Sequence, residues 1–475
     1  MNISMLLEMV ADTIGGQVAV GTLTYAQLFE RATAGSKLVG DRLIAIDINS
    51  EAVPIGLFSA ALAGVPYVPV NYRLSDEQLR AVVERAAPGT AVVDPDVVAR
   101  LENIDGLQVF DRPSFLDTVA AGADRSDAPS DPDAIAVLLF TSGTTGTPKA
   151  AVLRHRHLTS YVLGSVDFLG SSPDDAALVS VPPYHIAGLA AVLSSVYSGR
   201  RIVYLPQFTP EAWVEVARRE AITHAMVVPT MLGRILDHLE ASGEGLPALR
   251  HLSYGGGRMP VSVIERALTL LPGAGFVNAY GLTETSSTIA ILTPDDHREA
   301  IASDDPKVRA RLGSVGQPLP TVELEIRDGE IWVRGEQVSG EYLGIGTSVR
   351  DDGWFPTNDG GRVDEGGYLF VDGRLDDVIV RGGENLSPGE IEDVLVQHPA
   401  VTEAAVLGMP DDEWGEVPIA FVVAHDAVTE LELQSWVRDR LRSSRVPVRI
   451  TFLDELPYSE TGKLLRRVLR TKSES

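Results

Sequence analysis

The 475-residue chain contains no cysteine. Disulfides, thiolate metal sites and cysteine nucleophiles are therefore excluded. Basic residues are in short supply: 40 Lys and Arg stand against 66 Asp and Glu, a net charge of −26. Nucleic acids and anionic membrane surfaces both need a basic footprint, so neither is an expected partner. A local basic patch could still serve one small anionic ligand. No apolar run approaches the ~18 residues needed to span a bilayer. No Lys or Arg precedes Arg31, so the basic start of a secretory signal is missing too. A cytoplasmic location is the resulting expectation. The composition is otherwise that of a globular protein, with 44% hydrophobic and 22% charged residues. A chain this long exceeds one ordinary core and predicts two or more domains.

The order of elements predicts an α/β fold. Leu43 to Ile48 reads as a buried strand, Val53 to Gly64 as a helix of small residues, and Val65 to Val70 as the next strand. Strand, helix, strand predicts a parallel sheet. Ser75 is an N-cap candidate, with Gln78 completing a capping box. Ala91 to Asp94 is a further short strand. The Asp, Ser, Pro and Ala-rich stretch 122–132 reads as a loop leading into the strand Ala134 to Phe140. Alternation continues to about residue 290. From Gly313 to Gly373 short alternating strands, such as Val322 to Ile326 and Glu330 to Val333, predict a small β-barrel or twisted β subdomain. The last ~100 residues read as a compact α+β unit. Its first helix opens at Ser387-Pro388, strands follow at Ala404 to Gly408 and Ile419 to Val423, and a helix runs from about Leu431 to Arg442.

The most informative segment follows the strand ending at Phe140. It reads Thr141-Ser142-Gly143-Thr144-Thr145-Gly146-Thr147-Pro148-Lys149. Two glycines let the backbone approach a phosphate closely, and hydroxyls offer donors to its oxygens. Lys149 adds positive charge. No Gly-Lys-Ser/Thr closes the segment, so it is not a Walker loop.

This loop resembles the phosphate-binding signature of the adenylate-forming superfamily: acyl- and aryl-CoA synthetases, peptide-synthetase adenylation domains and luciferases. Ala150 stands where that signature usually has glycine. The resemblance extends over nearly the whole chain. Asn278 to Thr285 is similar to the adenine-side motif, which implies Tyr280 against adenine, Thr283 on the α-phosphate and Glu284 as a Mg²⁺ ligand. Ser253-Tyr254-Gly255-Gly256-Gly257 resembles the turn lining both adenine and acyl pockets. Asp359 matches a ribose-binding carboxylate, with Asn358 where the family often has glycine. Gly373 to Asn385 resembles the hinge region. It implies Arg374 on the nucleotide, Asp376 as the pivot, and Gly382 and Gly383 lining the channel for the pantetheine arm of coenzyme A. Pro457 to Lys463 resembles the loop carrying the adenylation lysine, Lys463. Val181 to His185 resembles the segment beside the acyl carboxylate. His185, Gly188, Val228, Gly255 and Gly256 are then acyl-pocket candidates, with a satisfied core histidine the alternative for His185.

The resemblance implies two domains, 1–374 with a β-rich part near 313–373, and a mobile 375–475. It implies an acid–thiol ligase using ATP, Mg²⁺ and coenzyme A, in which an acyl-adenylate forms first and the C-terminal domain then turns about Asp376. With no cysteine in the chain, the thiol must come from outside it. The Arg cluster Arg438, Arg440, Arg442, Arg445, Arg466, Arg467 and Arg470 is either a seat for coenzyme A phosphates or a solvated face. The candidate acyl pocket is apolar apart from His185, which favours a neutral apolar acid, while Arg258 keeps a dicarboxylate open. A carrier-protein phosphopantetheine is the alternative acceptor, and a homodimer stays open.

Overall fold

The computed structural model describes residues 1–125, 129–141, 149–458 and 464–473. Among these the chain is α/β, with a large N-terminal part and a small C-terminal unit. The first large sheet has eight strands in the order Gly346–Thr347, Glu341–Tyr342, Lys149–Arg154, Ile135–Thr141, Tyr67–Pro69, Leu43–Ile46, Gly89–Val93, Leu107–Asp111. Its Leu43–Ile46 strand pairs in parallel with both Tyr67–Pro69 and Gly89–Val93. The helix Ala52–Ala63 makes the first of these crossovers, and Gly64 ends it in the left-handed conformation at φ 72°. All of its residues except Ala63 are buried. A helix apolar all round belongs between layers, and Phe58, wholly buried, contributes about 2 kcal/mol by its transfer from water. Ser75 caps the next helix as expected: its hydroxyl accepts from Gln78 N, and Gln78 Oε1 accepts from Ser75 N.

The second sheet has nine strands in the order Gln317–Pro318, Ser287–Leu292, Gly275–Leu282, His251–Gly255, His224–Val227, Ala176–Val179, Arg201–Tyr204, Val18–Val20, Leu23–Thr24. The five strands from Gly275–Leu282 through Arg201–Tyr204 are mutually parallel. The chain leaves Ala176–Val179 for Arg201–Tyr204 on one side and returns as His224–Val227 on the other. That reversal opens a crevice at the carboxyl ends of the strands, the usual seat for a ligand in such a sheet.

The β-rich stretch forms a four-stranded antiparallel sheet, Glu323–Arg327, Glu330–Arg334, Phe355–Val363 and Leu369–Arg374. The hairpin Glu341–Thr347 leaves it and extends the eight-stranded sheet instead. From Ile379 onward the chain packs around a separate core that includes Ile391, Leu395, Val406, Val422, Leu433 and Val437. The expected strands there are longer than predicted, Val401–Asp411 and Gly415–Ala424, because a long hairpin pairs them throughout. The last-named helix is shorter, Glu430–Arg438. Ser387 sits at the N-cap of Pro388–Val396, but its hydroxyl donates to Asp372 O at 2.7 Å rather than capping the helix. Among the described residues no helix is long and apolar enough to cross a membrane.

Candidate active site

The glycine-threonine segment connects two adjacent antiparallel strands. Its ends, Thr141 and Lys149, are register partners, and the Thr141 hydroxyl donates to Lys149 O at 3.4 Å. Ser142, Gly143, Thr144, Thr145 and Gly146 lie outside the described residues. So does Lys463, whose loop is flanked by the bridge between Tyr458 and Leu464.

Lys149 extends over the Tyr342 ring, with Nζ 5.7 Å from the centroid. Tyr342 reaches this place because Glu341–Tyr342 pairs with the strand that begins at Lys149. Arg154 fixes that pairing with two hydrogen bonds to the Glu341 carboxylate, at 3.0 and 2.8 Å. The Tyr342 hydroxyl donates to Glu284 Oε1 at 2.5 Å. Glu284 stands in the tight turn Thr283–Thr285, directly after the strand carrying Tyr280. Its backbone carbonyl accepts from Ser339 N and Gly340 N, at 2.8 and 3.1 Å. The two residues beyond the turn, Ser286 and Ser287, both have positive φ, 57° and 107°. Non-glycine residues hold such angles only where their surroundings impose them, and they gather at working sites.

Tyr280 leads to the next station. Its hydroxyl donates to Asp359 Oδ2 at 2.7 Å, and Arg374 Nε meets Asp359 Oδ1 at 3.1 Å. Arg374 also donates to Thr357 O at 2.9 Å. Burial, followed by the Asp359 charge, holds the Tyr280 phenol far above its usual pKa, so it stays a donor. Asn358 has φ 60°, a conformation that Asn tolerates better than most residues and that glycine adopts freely. Its amide donates to Asp376 Oδ2 at 2.8 Å. Lys149, Tyr342 and Glu284 thus form one set of contacts and Tyr280, Asp359 and Arg374 another, joined where the strand Gly275–Leu282 passes into the turn Thr283–Thr285.

The acyl-side candidates gather at the sheet crevice. His185 follows the strand Ala176–Val179 and precedes the helix Ile186–Ser198, while Val228 follows the neighbouring strand His224–Val227. The His185 and Tyr184 rings lie 4.7 Å apart. Burial pushes the His185 pKa down to about 4, so the imidazole is neutral near pH 7. Gly255 ends the strand beside Ala279, and a Cβ there would stand 2.2 Å from Ala279 O. A Cβ at Gly256 would lie 3.7 Å from Val228 Cγ1, so these two candidates are neighbours. Gly188 faces inward: a Cβ there would meet Pro182 O at 2.7 Å. Close helix packing therefore accounts for Gly188 without any ligand. Arg258 is ion-paired with Asp393 of the C-terminal helix Pro388–Val396.

Gly382 and Gly383 form the tight turn between Ile379–Arg381 and Glu384–Leu386, with φ 58° and 83°. Gly382 N donates to Trp414 O at 2.7 Å, and a Cβ at Gly382 would stand 3.0 Å from the indole. The arginine cluster divides. Arg445 is held by Glu384 and Glu390, and Arg466 by Glu392 and Asp377, so both are structural ties. Arg440 lies on the Trp436 ring. Arg442 is 82% exposed, and Arg438 and Arg467 are exposed as well.

Sequence reasoning missed Tyr342 and Trp414. Trp414 follows the turn signal Asp411-Asp412 and could have been singled out as an exposed aromatic. Tyr342 gave no signal, because a two-residue strand has no periodicity to read.

Comparison with known proteins gives the family. The AMP-binding enzyme family model matches residues 10–343, and the AMP-binding enzyme C-terminal domain model matches 390–463. The chain belongs to the AMP-binding enzyme family. It is 33% identical over 446 residues to a 2-succinylbenzoate–CoA ligase of Bacillus cereus, covering 91% of this chain and 88% of that one. It is likewise 33% identical over 480 residues to a fatty acid–[acyl-carrier-protein] ligase of Streptomyces coeruleorubidus, covering 95% and 92%. The o-succinylbenzoate CoA synthetase of Bacillus subtilis, solved with its acyl-adenylate intermediate, superposes with a TM-score of 0.84 at 30% identity, over 98% of this chain and 97% of that one. The same synthetase has been solved with ATP and a magnesium ion. The present chain is an enzyme, an AMP-forming acid–thiol ligase of the acyl-CoA synthetase type.

Proposed function

We propose that the chain converts a neutral, largely apolar carboxylic acid, aryl or aliphatic, into its coenzyme A thioester by way of the acyl-adenylate. The observation that carries this reading is that two sets of contacts, Lys149–Tyr342–Glu284 and Tyr280–Asp359–Arg374, meet at the end of one strand, where Tyr280 and Glu284 are four residues apart. A cation for the phosphates, a carboxylate for a metal and a carboxylate for the ribose are thereby presented by neighbouring elements, the set of groups a nucleoside triphosphate needs.

In the first step a carboxylate oxygen attacks the α-phosphorus and pyrophosphate leaves. The work of the protein is positioning and charge stabilisation. Asp359 accepts from the ribose hydroxyls, Lys149 and Lys463 oppose the growing phosphate charge, and Thr283 donates to the α-phosphate. The residues fit a magnesium ion carried in on the phosphates. Among the described residues no group of three or more His, Asp or Glu could hold a metal alone, and Mg²⁺ commonly takes one or two carboxylates plus substrate phosphates. Glu284 is that carboxylate, and the ion supplies neutralisation of phosphate charge. In the second step the thiol sulfur attacks the acyl carbon and AMP leaves. The boundary near residue 375 and the pivot at Asp376 fit the separate core beyond Ile379.

The acyl preference rests on neutral His185, on Val228, and on Arg258 facing Asp393 in this arrangement rather than the acyl side. Transfer to a carrier-protein phosphopantetheine is the second reading, favoured by the carrier-protein ligase among the relatives. Incubation with ATP, Mg²⁺ and an acid pool, with coenzyme A or with holo carrier protein, and mass spectrometry of the products, tests both. A coenzyme A thioester of a neutral acid is expected. Acylated carrier protein without acyl-CoA would favour the second reading, and selective turnover of dicarboxylates would overturn the acyl preference.

A further inference from the structure

We infer that Tyr342 is a positioning residue for metal-dependent nucleotide binding: its hydroxyl fixes the orientation of the Glu284 carboxylate. The inference rests on the proposed role of Glu284 and deepens it. The Glu284 backbone is held at its carbonyl by Ser339 N and Gly340 N. Its side chain ends in a freely turning carboxylate, and the hydrogen bond to Oε1 is donated by Tyr342. A carboxylate that ligates a cation through one oxygen gains precision when the other accepts a hydrogen bond, since such outer contacts orient ligands and tune their basicity.

Tyr342 is itself well anchored. It enters the site on a strand paired to Ala151 and Val152 through Glu341–Tyr342, and Arg154 clamps Glu341 beside it. An ionised carboxylate only accepts, so in this contact the phenol hydroxyl is the donor. The same ring carries Lys149 on its face. An aromatic face offers a cation a resting place worth less than a phosphate does. Before nucleotide arrives, Lys149 is thus kept near its place of use without forming an ion pair with Glu284 that phosphates would have to break. Tyr342 therefore separates the lysine from the carboxylate and aligns the latter.

The test is Tyr342→Phe, which keeps the ring under Lys149 and removes only the hydroxyl. Calorimetric titration with a non-hydrolysable ATP analogue, with Mg²⁺ and separately with EDTA, reads binding without turnover. The expected result is about tenfold weaker binding with Mg²⁺, the order of one hydrogen bond to a charged group, and unchanged binding in EDTA. The thermal midpoint should stay that of the wild type. In a Glu284→Gln background the same substitution should add nothing, as coupled residues behave. Equal loss with and without Mg²⁺ would reduce Tyr342 to a structural role and overturn the inference. Unchanged Mg²⁺-dependent affinity in Tyr342→Phe would overturn it as well. In either case Glu284→Gln tells the two ideas apart: if it alone loses the Mg²⁺ dependence, the reading of Glu284 stands. If it too is unaffected, that reading falls with the inference.

Discussion

Asp359 and Arg374 face each other as register partners on neighbouring antiparallel strands, and the guanidinium meets the carboxylate at 3.1 Å. The other carboxylate oxygen holds Tyr280. One side chain therefore supports the wall on which adenine would lie and presents the acceptor that ribose would meet. Asp359→Ala removes the acceptor from the part-buried Tyr280 hydroxyl, which costs about 1 kcal/mol. A lower thermal midpoint and much weaker AMP binding are expected together. Tyr280→Phe should lower the midpoint less and leave AMP binding largely intact. An Asp359→Ala protein that binds AMP as well as wild type would contradict the ribose role.

Gly255 and Gly256 should respond differently to alanine. At Gly255 the new methyl would enter the Ala279 carbonyl at 2.2 Å, between paired strands, so loss of folded protein is expected. At Gly256 there is room, since Val228 is 3.7 Å away, but φ is 77°. Strain there costs about 1 kcal/mol, and the methyl narrows the acyl side. Gly256→Ala should therefore fold, and kcat/KM should fall more for bulky acids than for small ones. A uniform fall across acid sizes would remove Gly256 from the acyl pocket.

Arg258 and Asp393 join the large N-terminal part to the C-terminal unit. Both side chains are 45% exposed, and exposed pairs contribute at most about 1 kcal/mol. Arg258→Ala should leave the melting temperature nearly unchanged. Its effect should appear as faster limited proteolysis near residues 375–377, where the chain passes between the two units. Unchanged cleavage would show that the pair does not restrain the C-terminal unit.

Two buried histidines give the fold an acid limit. Burial is the main cause that pushes both His155 and His157 down to about 4, against ~6.5 in an unfolded chain. A depressed histidine is neutral in the folded state, and below pH ~6.5 the unfolded state binds the extra proton. Stability is thus fully present above that value and is lost as pH falls from 6.5 toward 4, on the order of 3 kcal/mol for each group. Urea midpoints measured from pH 7.5 to 4.5 should decline accordingly. The His157 ring accepts from Arg154 N at 3.2 Å. His157→Gln keeps a capping acceptor but does not titrate, so it should flatten the decline. An undiminished slope in that variant would place the acid sensitivity elsewhere.

Local chemistry was legible in the sequence, and distant pairing was not. Ser75 with Gln78, the small-residue helix before Gly64, and the strand before Thr141 each carry their signal within a few residues, and each is found. The site motifs were legible through resemblance, and the structure joins Tyr280, Asp359 and Arg374 through side chains 79 residues apart in the first case. The contact of Arg258 with Asp393 spans 135 residues, so no local pattern announces it, and the sequence left a dicarboxylate open on the strength of Arg258. The arginine cluster was open in the sequence for a similar reason. Composition could not tell that Arg445 and Arg466 are closely held by acidic neighbours while Arg442, 82% exposed, meets Glu384 only at 3.9 Å. Tyr342 depends on a pairing between strands that lie far apart in the chain.

The hairpin Glu341–Thr347 also decides where the eight-stranded sheet stops. Without it, the strand Lys149–Arg154 would present a six-residue row of unpaired backbone groups to solvent. With it, the outermost strand is Gly346–Thr347, two residues long and begun by a glycine at φ 105°. An edge so short cannot template a neighbouring chain. The segment that carries Tyr342 therefore also blunts this edge of the sheet, and removing it would lengthen the exposed edge there as well as displace Tyr342.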